Sequence, residues 1–351
     1  MDNMEYTDEA VKLLKSLIRV PSMSRSENGA ADIMEEALRD YGFSPMRHKN
    51  NVWAISEPFD EKRPTLLLNA HLDTVKPVAT WTMDPFIPME RDGKLYGLGS
   101  NDCGGGLVAL LQVFRILASK KMGYNIVYLS SAEEEVSGVD GISSVISSIP
   151  SVDVAIVGEP TGMQPAIAEK GLMVVDCEAV GKSGHAARNE GVNSIYIAME
   201  DIRWVAEHEF EKVSHLLGPT KATVTIINAG TQHNVIPDKC TFTIDVRTNE
   251  LYTNKEVFDI LRDNLKSVVK ARSFRLNSSS IDIGHPLVKK CVAIMGMTPF
   301  GSPTLSDQAL MPFPSIKLGP GDSSRSHSAD EYIRIDEIAH SIETYVKLLS
   351  D

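Results

Sequence analysis

The most informative segment of the sequence is Leu66-Leu67-Leu68-Asn69-Ala70-His71-Leu72-Asp73-Thr74-Val75. Its first residues form a short apolar run, which predicts a strand buried on both faces of a sheet. His71 and Asp73 follow at the carboxyl end, and side chains two residues apart on a strand point the same way. A carboxylate beside an imidazole is typical of a metal-binding histidine. The same pair of residues is also found where polar side chains end a strand and start a turn. This stretch alone therefore does not distinguish a metal site from a simple turn.

Other predicted strands and turns end in the same kinds of residue. They are the glycine-rich turn with Asp102 before a helix at 107–118, strand 125–130 before Glu133-Glu134-Glu135, strand 152–157 before Glu159, and strand 315–318 before a loop with His327. Ligand sites in open α/β sheets lie at the carboxyl ends of the strands. The convergence of carboxylates and histidines on such ends predicts a metal site. Within the glutamate triplet, one carboxylate can ligate a metal while a neighbour stays free as a proton acceptor.

Composition limits the classes of function. The chain has 351 residues, which suits two domains, and Asp plus Glu exceed Lys plus Arg by 47 to 35, a formal charge of -12. We expect such a surface to repel nucleic acid and anionic membranes. The cysteines Cys103, Cys177, Cys240 and Cys291 are scattered. Scattered cysteines are typical of free thiols in a reducing compartment. No apolar run approaches a membrane span, so we expect a cytoplasmic protein.

The order of predicted elements changes after Gly171. From 172 to 281 the pattern reads β-α-β-β-α-β, with a helix at 254–269 and a last strand at 274–281, an order typical of a ferredoxin-like module. We therefore predict an α/β catalytic domain with a mixed sheet, formed by residues 1–171 and 282–351, and an inserted α+β domain at 172–281. The inserted domain carries His185, Asn234 and Arg247. A lone histidine in a glycine loop, such as His185, is more often a surface residue than a catalyst.

Taken together, these motifs resemble the M20 family of metallo-aminoacylases and peptidases. The resemblance rests on His71-x-Asp73, Gly99-x-x-Asp102, Glu134-Glu135, Gly158-Glu159-Pro160 and His327, in order over nearly the whole chain. It implies a zinc-exopeptidase-like catalytic domain with an inserted lid that also forms a homodimer. It further implies a cis peptide bond between Asp102 and Cys103.

The resemblance also implies a role for each site residue. His71 and Glu159 would bind one divalent ion, Glu135 and His327 a second, and Asp102 would bridge them. The ions would be zinc, with cobalt or manganese as alternatives. Asp73 would orient His71, and Glu134 would act as general base. His185 would reach a partner's active site to stabilise the oxyanion, while Asn234 and Arg247 would bind the substrate's carboxylate.

The motifs Ala168-Glu169-Lys170-Gly171, Gly184-His185 and Gly319-Pro320-Gly321 are most similar to the acetylornithine deacetylase branch of the family. They imply removal of an acetyl or succinyl group from an N-acyl amino acid of the ornithine or citrulline type, in arginine biosynthesis. The alternatives are a succinyl-diaminopimelate desuccinylase, a metallo-dipeptidase or carboxypeptidase, and a one-metal enzyme. A non-catalytic relative that binds amino acids or peptides is an alternative of another class.

Overall fold

The computed structural model describes residues 3–188 and 190–350, so the predicted domain limits at residues 1 and 351 lie outside the described residues. The helices are α1 (Asn3–Ile18), α2 (Asn28–Asp40), α3 (Gly105–Ala118), α4 (Ser194–Glu207), α5 (Asn254–Asn264), α6 (Pro286–Met295) and α7 (Ile335–Leu349). The strands are β1 (Met46–His48), β2 (Asn51–Ile55), β3 (Thr65–His71), β4 (Met89–Arg91), β5 (Lys94–Tyr96), β6 (Asn125–Ser131), β7 (Val154–Val157), β8 (Ala166–Glu169), β9 (Met173–Val180), β10 (Gly184–His185), β11 (Lys221–Ala229), β12 (Val235–Ile236), β13 (Lys239–Arg247), β14 (Val268–Ala271), β15 (Ser279–Ser280), β16 (Phe300–Ser302), β17 (Ser315–Lys317) and β18 (Tyr332–Arg334).

The chain divides into two compact units. Unit 1 comprises the described residues within 1–167, 281–300 and 306–351, and unit 2 comprises those within 168–280 and 301–305. The predicted boundaries at 171 and 282 lie close to these limits. The short segment 301–305, which the prediction gave to the catalytic domain, belongs to unit 2 instead. There the backbone carbonyl of Ser302 accepts a hydrogen bond from the backbone N–H of Lys170 at 3.2 Å.

Unit 1 is built on a mixed sheet. Its central strands lie in the order β6-β3-β7-β17 and are parallel, and antiparallel strands β2 and β8 flank them. Every residue of β3 is buried, as the apolar run predicts. Leu66 and Leu68 pack into the core under α1, α2, α3, α6 and α7, whereas Leu67 packs into a second core on the opposite face of the sheet. The four parallel strands therefore all deliver their carboxyl ends to one edge.

Unit 2 is a four-stranded antiparallel sheet in the order β11-β13-β9-β14, with chain order β9-α4-β11-β13-α5-β14. This is the ferredoxin-like topology, so the predicted fold class, a mixed α/β domain with an inserted α+β module, is confirmed. The identity of the fourth strand was wrong, because α5 ends at Asn264 and Val268–Ala271 form β14. Val268 and Val269 are β-branched and pair with β9, whereas most of the predicted strand at 274–281 is loop.

None of the helices within residues 3–188 and 190–350 combines the length and the apolar character that a membrane span requires.

Candidate metal centre

The carboxyl edge of the unit 1 sheet collects the predicted ligands. His71 is the last residue of β3, Glu134 and Glu135 follow β6, and Glu159 follows β7. Asp102 lies in the turn before α3, and His327 lies in the loop after β17. The structure thus brings together residues from five separate segments of the chain, because parallel neighbouring strands end at the same edge of a sheet.

Asp102 lies between the two histidines. Its Oδ1 is 3.3 Å from His71 Nε2, and its Oδ2 is 3.5 Å from His327 Nε2. Glu159 Oε1 completes the first group at 3.6 Å from His71 Nε2, and Glu135 Oε2 completes the second at 2.9 Å from His327 Nε2. One carboxylate therefore faces two clusters, each with one histidine and one glutamate, which is the arrangement that a bridging ligand requires.

The tautomer of His71 is fixed by Asp73. His71 Nδ1 lies 2.9 Å from the main-chain carbonyl oxygen of Asp73, which can only accept, so Nδ1 carries the proton and Nε2 keeps a free lone pair. The Asp73 carboxylate is farther away, with Oδ1 3.5 Å from Nδ1. The sequence predicts that the Asp73 carboxylate orients the His71 imidazole, but in the structure the main-chain oxygen of Asp73 is closer to Nδ1 than the carboxylate is.

The Asp73 carboxylate also holds the glutamate turn. Its oxygens accept hydrogen bonds from the backbone N–H groups of Glu134 at 3.0 Å and Glu135 at 3.2 Å, and from Ser24 Oγ at 2.7 Å. Asp73 is 1% exposed, so these donors replace water around its charge. One buried carboxylate therefore links the first histidine to the backbone that carries Glu134 and Glu135.

A second buried carboxylate, Glu331, holds the turn of Asp102. It is 2% exposed and accepts hydrogen bonds from the backbone N–H groups of Gly99 at 3.1 Å, Asn101 at 2.8 Å and Asp102 at 2.9 Å. The Asn101 side chain then donates to the carbonyl of Asp322, in the loop that leads to His327. Sequence reasoning missed Ser24, Asn101 and Glu331, because their contacts join segments up to 232 residues apart and leave no local pattern.

Glycines allow the backbone to close around the site. A side-chain carbon at Gly106, in the first turn of α3, would collide with the carbonyl of Gly158, next to Glu159. Gly99 has a left-handed φ of 73°, which favours glycine. The peptide bond between Asp102 and Cys103 is cis, so that prediction is confirmed. The Cys103 thiol is buried and lies 3.2 Å from the backbone nitrogen of His71.

The site concentrates negative charge. Burial, together with the charge of Asp102, raises the pKa of Glu159 to about 8, although the His71 charge opposes this effect. Burial and the charge of Glu159 raise the pKa of Glu134 well above its usual range. The hydrogen bond to Glu135 raises the pKa of His327 to about 9. These shifts describe a cluster rich in carboxylates, in which the two histidines are neighbouring positive charges.

The predicted residues of the inserted domain lie in unit 2. His185, in β10, pairs across a short antiparallel ladder with Val235 of β12, and the Asn234 carbonyl accepts from the backbone N–H of Ala186 at 3.0 Å. His185 and Asn234 are thus brought side by side, and both are exposed. Arg247 lies in a different sheet, at the end of β13, where Asp245 accepts from its Nε at 2.9 Å.

Comparison with known proteins identifies the class. Residues 67–351 match the model of peptidase family M20/M25/M40, so the chain belongs to that family. The acetylornithine deacetylase of Yersinia pseudotuberculosis is 30% identical, over 92% of each chain. The aminopeptidase PepT of Bacillus cereus has a TM-score of 0.78 at 18% identity, covering 98% of both chains. The YXEP protein of Bacillus subtilis, a dinuclear metal-binding peptidase of the M20 family, has a TM-score of 0.72 at 14% identity, covering 99% of this chain and 98% of its own.

These matches confirm the predicted family, and with it the prediction that the chain is a hydrolase acting on amide bonds.

Proposed function

We propose that the protein is a two-metal hydrolase that removes the acyl group from an N-acyl amino acid of the ornithine or citrulline type. The observation that carries the proposal is the position of Asp102, whose two oxygens face His71 and His327. The similarity to acetylornithine deacetylases over most of the chain supports the substrate class and a place in arginine biosynthesis.

The residues present fit two divalent ions. His71 and Glu159 would hold one ion, His327 and Glu135 the other, and Asp102 would contact both. Glu159 Oε1 is buried and has no hydrogen-bond partner among the described residues, a condition that a metal ion would relieve. Nitrogen and carboxylate donors suit zinc, cobalt or manganese. When bound, such ions acidify a water molecule and polarise the acyl carbonyl.

Glu134 is the proposed general base. Its backbone N–H is anchored to Asp73, the residue that also fixes His71, so its position is tied to that of the ligands. A carboxylate in this place would take a proton from the attacking water and pass it to the leaving amine. Asp73 would act as a positioning residue for both His71 and Glu134.

The inserted domain would supply substrate contacts. We assign His185 to stabilisation of the oxyanion, and Asn234 and Arg247 to the carboxylate of the amino acid. Arg247 suits that role because a guanidinium donates charge-assisted hydrogen bonds to a carboxylate, and Asp245 occupies only the Nε edge of this one. The exposure of His185 and Asn234 supports a role in binding, because neither side chain is needed in the core of unit 2.

We also propose that the protein is a homodimer formed through the inserted domain. Strand β11 lies at the edge of its sheet, and its Ile226 and Ile227 are 51% and 52% exposed. An exposed apolar edge strand can pair with the same strand of a second copy. Light scattering should give twice the chain mass, and Ile227→Lys should give the monomer. A wild-type monomer at assay concentrations would refute this part of the proposal.

The cytoplasm is the proposed location. The state of the cysteines supports this location, because all four are free and buried and free thiols are typical of proteins in a reducing compartment.

The test of function is release of free amine from N-acetyl- and N-succinyl-ornithine and -citrulline by metal-stripped protein, with and without added Zn²⁺ or Co²⁺. Metal-dependent release from one of these substrates is expected. Turnover of dipeptides alone would favour a peptidase, and turnover of neither class, with metal bound, would favour a binding protein.

Glu134→Gln is the matched variant for this assay. It keeps the size of the side chain and removes its basicity, so turnover should fall at least a hundredfold, the lower end of the contribution of a general base. Metal content and thermal stability should stay close to wild type. An unchanged rate would remove Glu134 from the mechanism.

A further inference from the structure

Unit 2 carries two lysines, Lys170 and Lys221, that the assigned roles do not use and that lie near Arg247, which has an assigned role. We call Lys170, Lys221 and Arg247 the lysine–arginine cluster. Lys221 begins β11 and Arg247 ends β13, and the two residues are direct partners in the antiparallel register. Like charges placed opposite each other on neighbouring strands destabilise a sheet. This pair therefore costs stability unless an anion lies between or above the two charges.

Lys170 adds a third positive charge beside this pair. Its ammonium donates to the carbonyl of Pro219 at 3.1 Å, two residues before Lys221. Burial lowers the pKa of Lys170, and the charges of Lys221 and Arg247 lower it further. Because Lys170 contacts Pro219, close along the chain to Lys221, and Lys221 is the register partner of Arg247, the three positive charges form one cluster.

Little negative charge offsets the cluster. Within residues 3–188 and 190–350, Asp245 is the acid paired with these cations, and it accepts from Arg247 Nε at 2.9 Å and Nη2 at 3.1 Å. Three cations and one carboxylate leave two positive charges, in a chain whose formal charge is -12. Asp245 also holds the guanidinium in place by its Nε edge, which leaves Nη1 for a ligand.

We propose that the lysine–arginine cluster binds a substrate with two carboxylates, which makes the acyl group a dicarboxylic one of the succinyl class. The inference rests on the proposed function, in which Arg247 binds the carboxylate of the amino acid. Lys170 and Lys221 then supply the charge for a second carboxylate, at the end of the acyl group. An acetyl group has no such carboxylate and would leave these two cations without a counter-charge.

The test compares kcat/KM for the N-succinyl and N-acetyl derivatives of the same amino acid, using the metal-loaded enzyme. The succinyl substrate should be favoured by roughly 10- to 100-fold, the range expected for hydrogen bonds to charged groups. Lys170→Met and Lys221→Met should each remove most of this preference by lowering kcat/KM for the succinyl substrate. Lys170→Arg, which keeps the charge, should retain much of it.

Lys239→Met is the matched control, because Lys239 lies at the other end of β13 and pairs with Glu178. It should leave the preference unchanged. If Lys170→Met lowers the melting temperature, the Lys221→Met variant becomes the test of the succinyl preference, because Lys221 is exposed and its replacement should not unfold the protein. Equal or better turnover of the acetyl substrate, with lysine variants that affect both substrates alike, would overturn this inference and leave the proposed function intact. Hydrolysis of neither substrate would instead count against the proposed function.

Discussion

Replacing Glu331 by glutamine changes one buried carboxylate that is not an expected metal ligand. Its two oxygens accept three backbone hydrogen bonds, at 2.8, 2.9 and 3.1 Å, from the turn that carries Asp102. Glutamine has the same shape but a single acceptor oxygen. At most two of the three N–H groups keep their partner, and the third faces the amide NH₂.

The structure sets the size of the effect. Leaving one buried N–H without an acceptor costs about 1–3 kcal/mol. Burial raises the pKa of Glu331 to about 7, so removal of its charge also removes a desolvation cost, and the net loss of stability should stay within that range. The effect on metal binding should be larger, because outer-shell partners of metal ligands typically contribute 10- to 100-fold to metal affinity.

The assay is a competition titration of metal-stripped protein against a coloured zinc chelator, together with urea unfolding of the same protein. Glu331→Gln should weaken zinc binding about 10- to 100-fold while the protein remains folded. Asp330→Asn is the control, since Asp330 is the neighbouring acid but accepts instead from Thr82. Wild-type zinc affinity in Glu331→Gln would refute the argument that Glu331 positions Asp102.

Three further predictions test other parts of the structure. Gly106→Ala should lower the free energy of unfolding by about 1–3 kcal/mol in urea, because the new side-chain carbon collides with the Gly158 carbonyl. This loss should outweigh the higher helix propensity of alanine. A more stable variant would contradict the close contact between Gly106 and Gly158. Ser24→Ala removes a 2.7 Å hydrogen bond to Asp73 and should weaken zinc binding by up to about tenfold in the chelator assay, whereas unchanged affinity would contradict the role of Asp73. Burial raises the pKa of Cys177 and Cys291 to about 12, so a thiol reagent at pH 8 should leave both unmodified in the native protein and modify all four cysteines after denaturation; rapid native reaction of either would show that it is accessible.

The sequence predicted the central sheet well because its strands are buried on both faces. Strands β3 and β6 are buried over their whole length, and each contains a continuous apolar run. Such segments carry their own signal, since burial selects residues at every position. The same property placed His71, Glu134, Glu135 and Glu159 at one edge, because each lies at the carboxyl end of a strand or in the turn that follows it.

The prediction was wrong where a helical spacing of apolar residues continued into a segment that forms a strand. Leu261, Leu265 and Val269 repeat at a helical spacing, so the helix was predicted to continue to 269. In the structure the helix ends because the backbone at Leu265 is extended, with ψ of 141°. Val268 and Val269 then form β14, which pairs with β9. Strand pairing with a distant segment outweighed local periodicity. The contacts of Glu331 and Asn101 escaped prediction for a related reason, since they depend on the tertiary fold.

We infer that two ions lie at one edge of the unit 1 sheet, with Asp102 in contact with both. Anomalous diffraction at the zinc edge, from crystals grown with Zn²⁺, would locate these ions. Two peaks roughly 3.5–4 Å apart are expected, one beside His71 and Glu159 and the other beside His327 and Glu135. A single peak, or peaks away from Asp102, would contradict the assignment of two ions to this site.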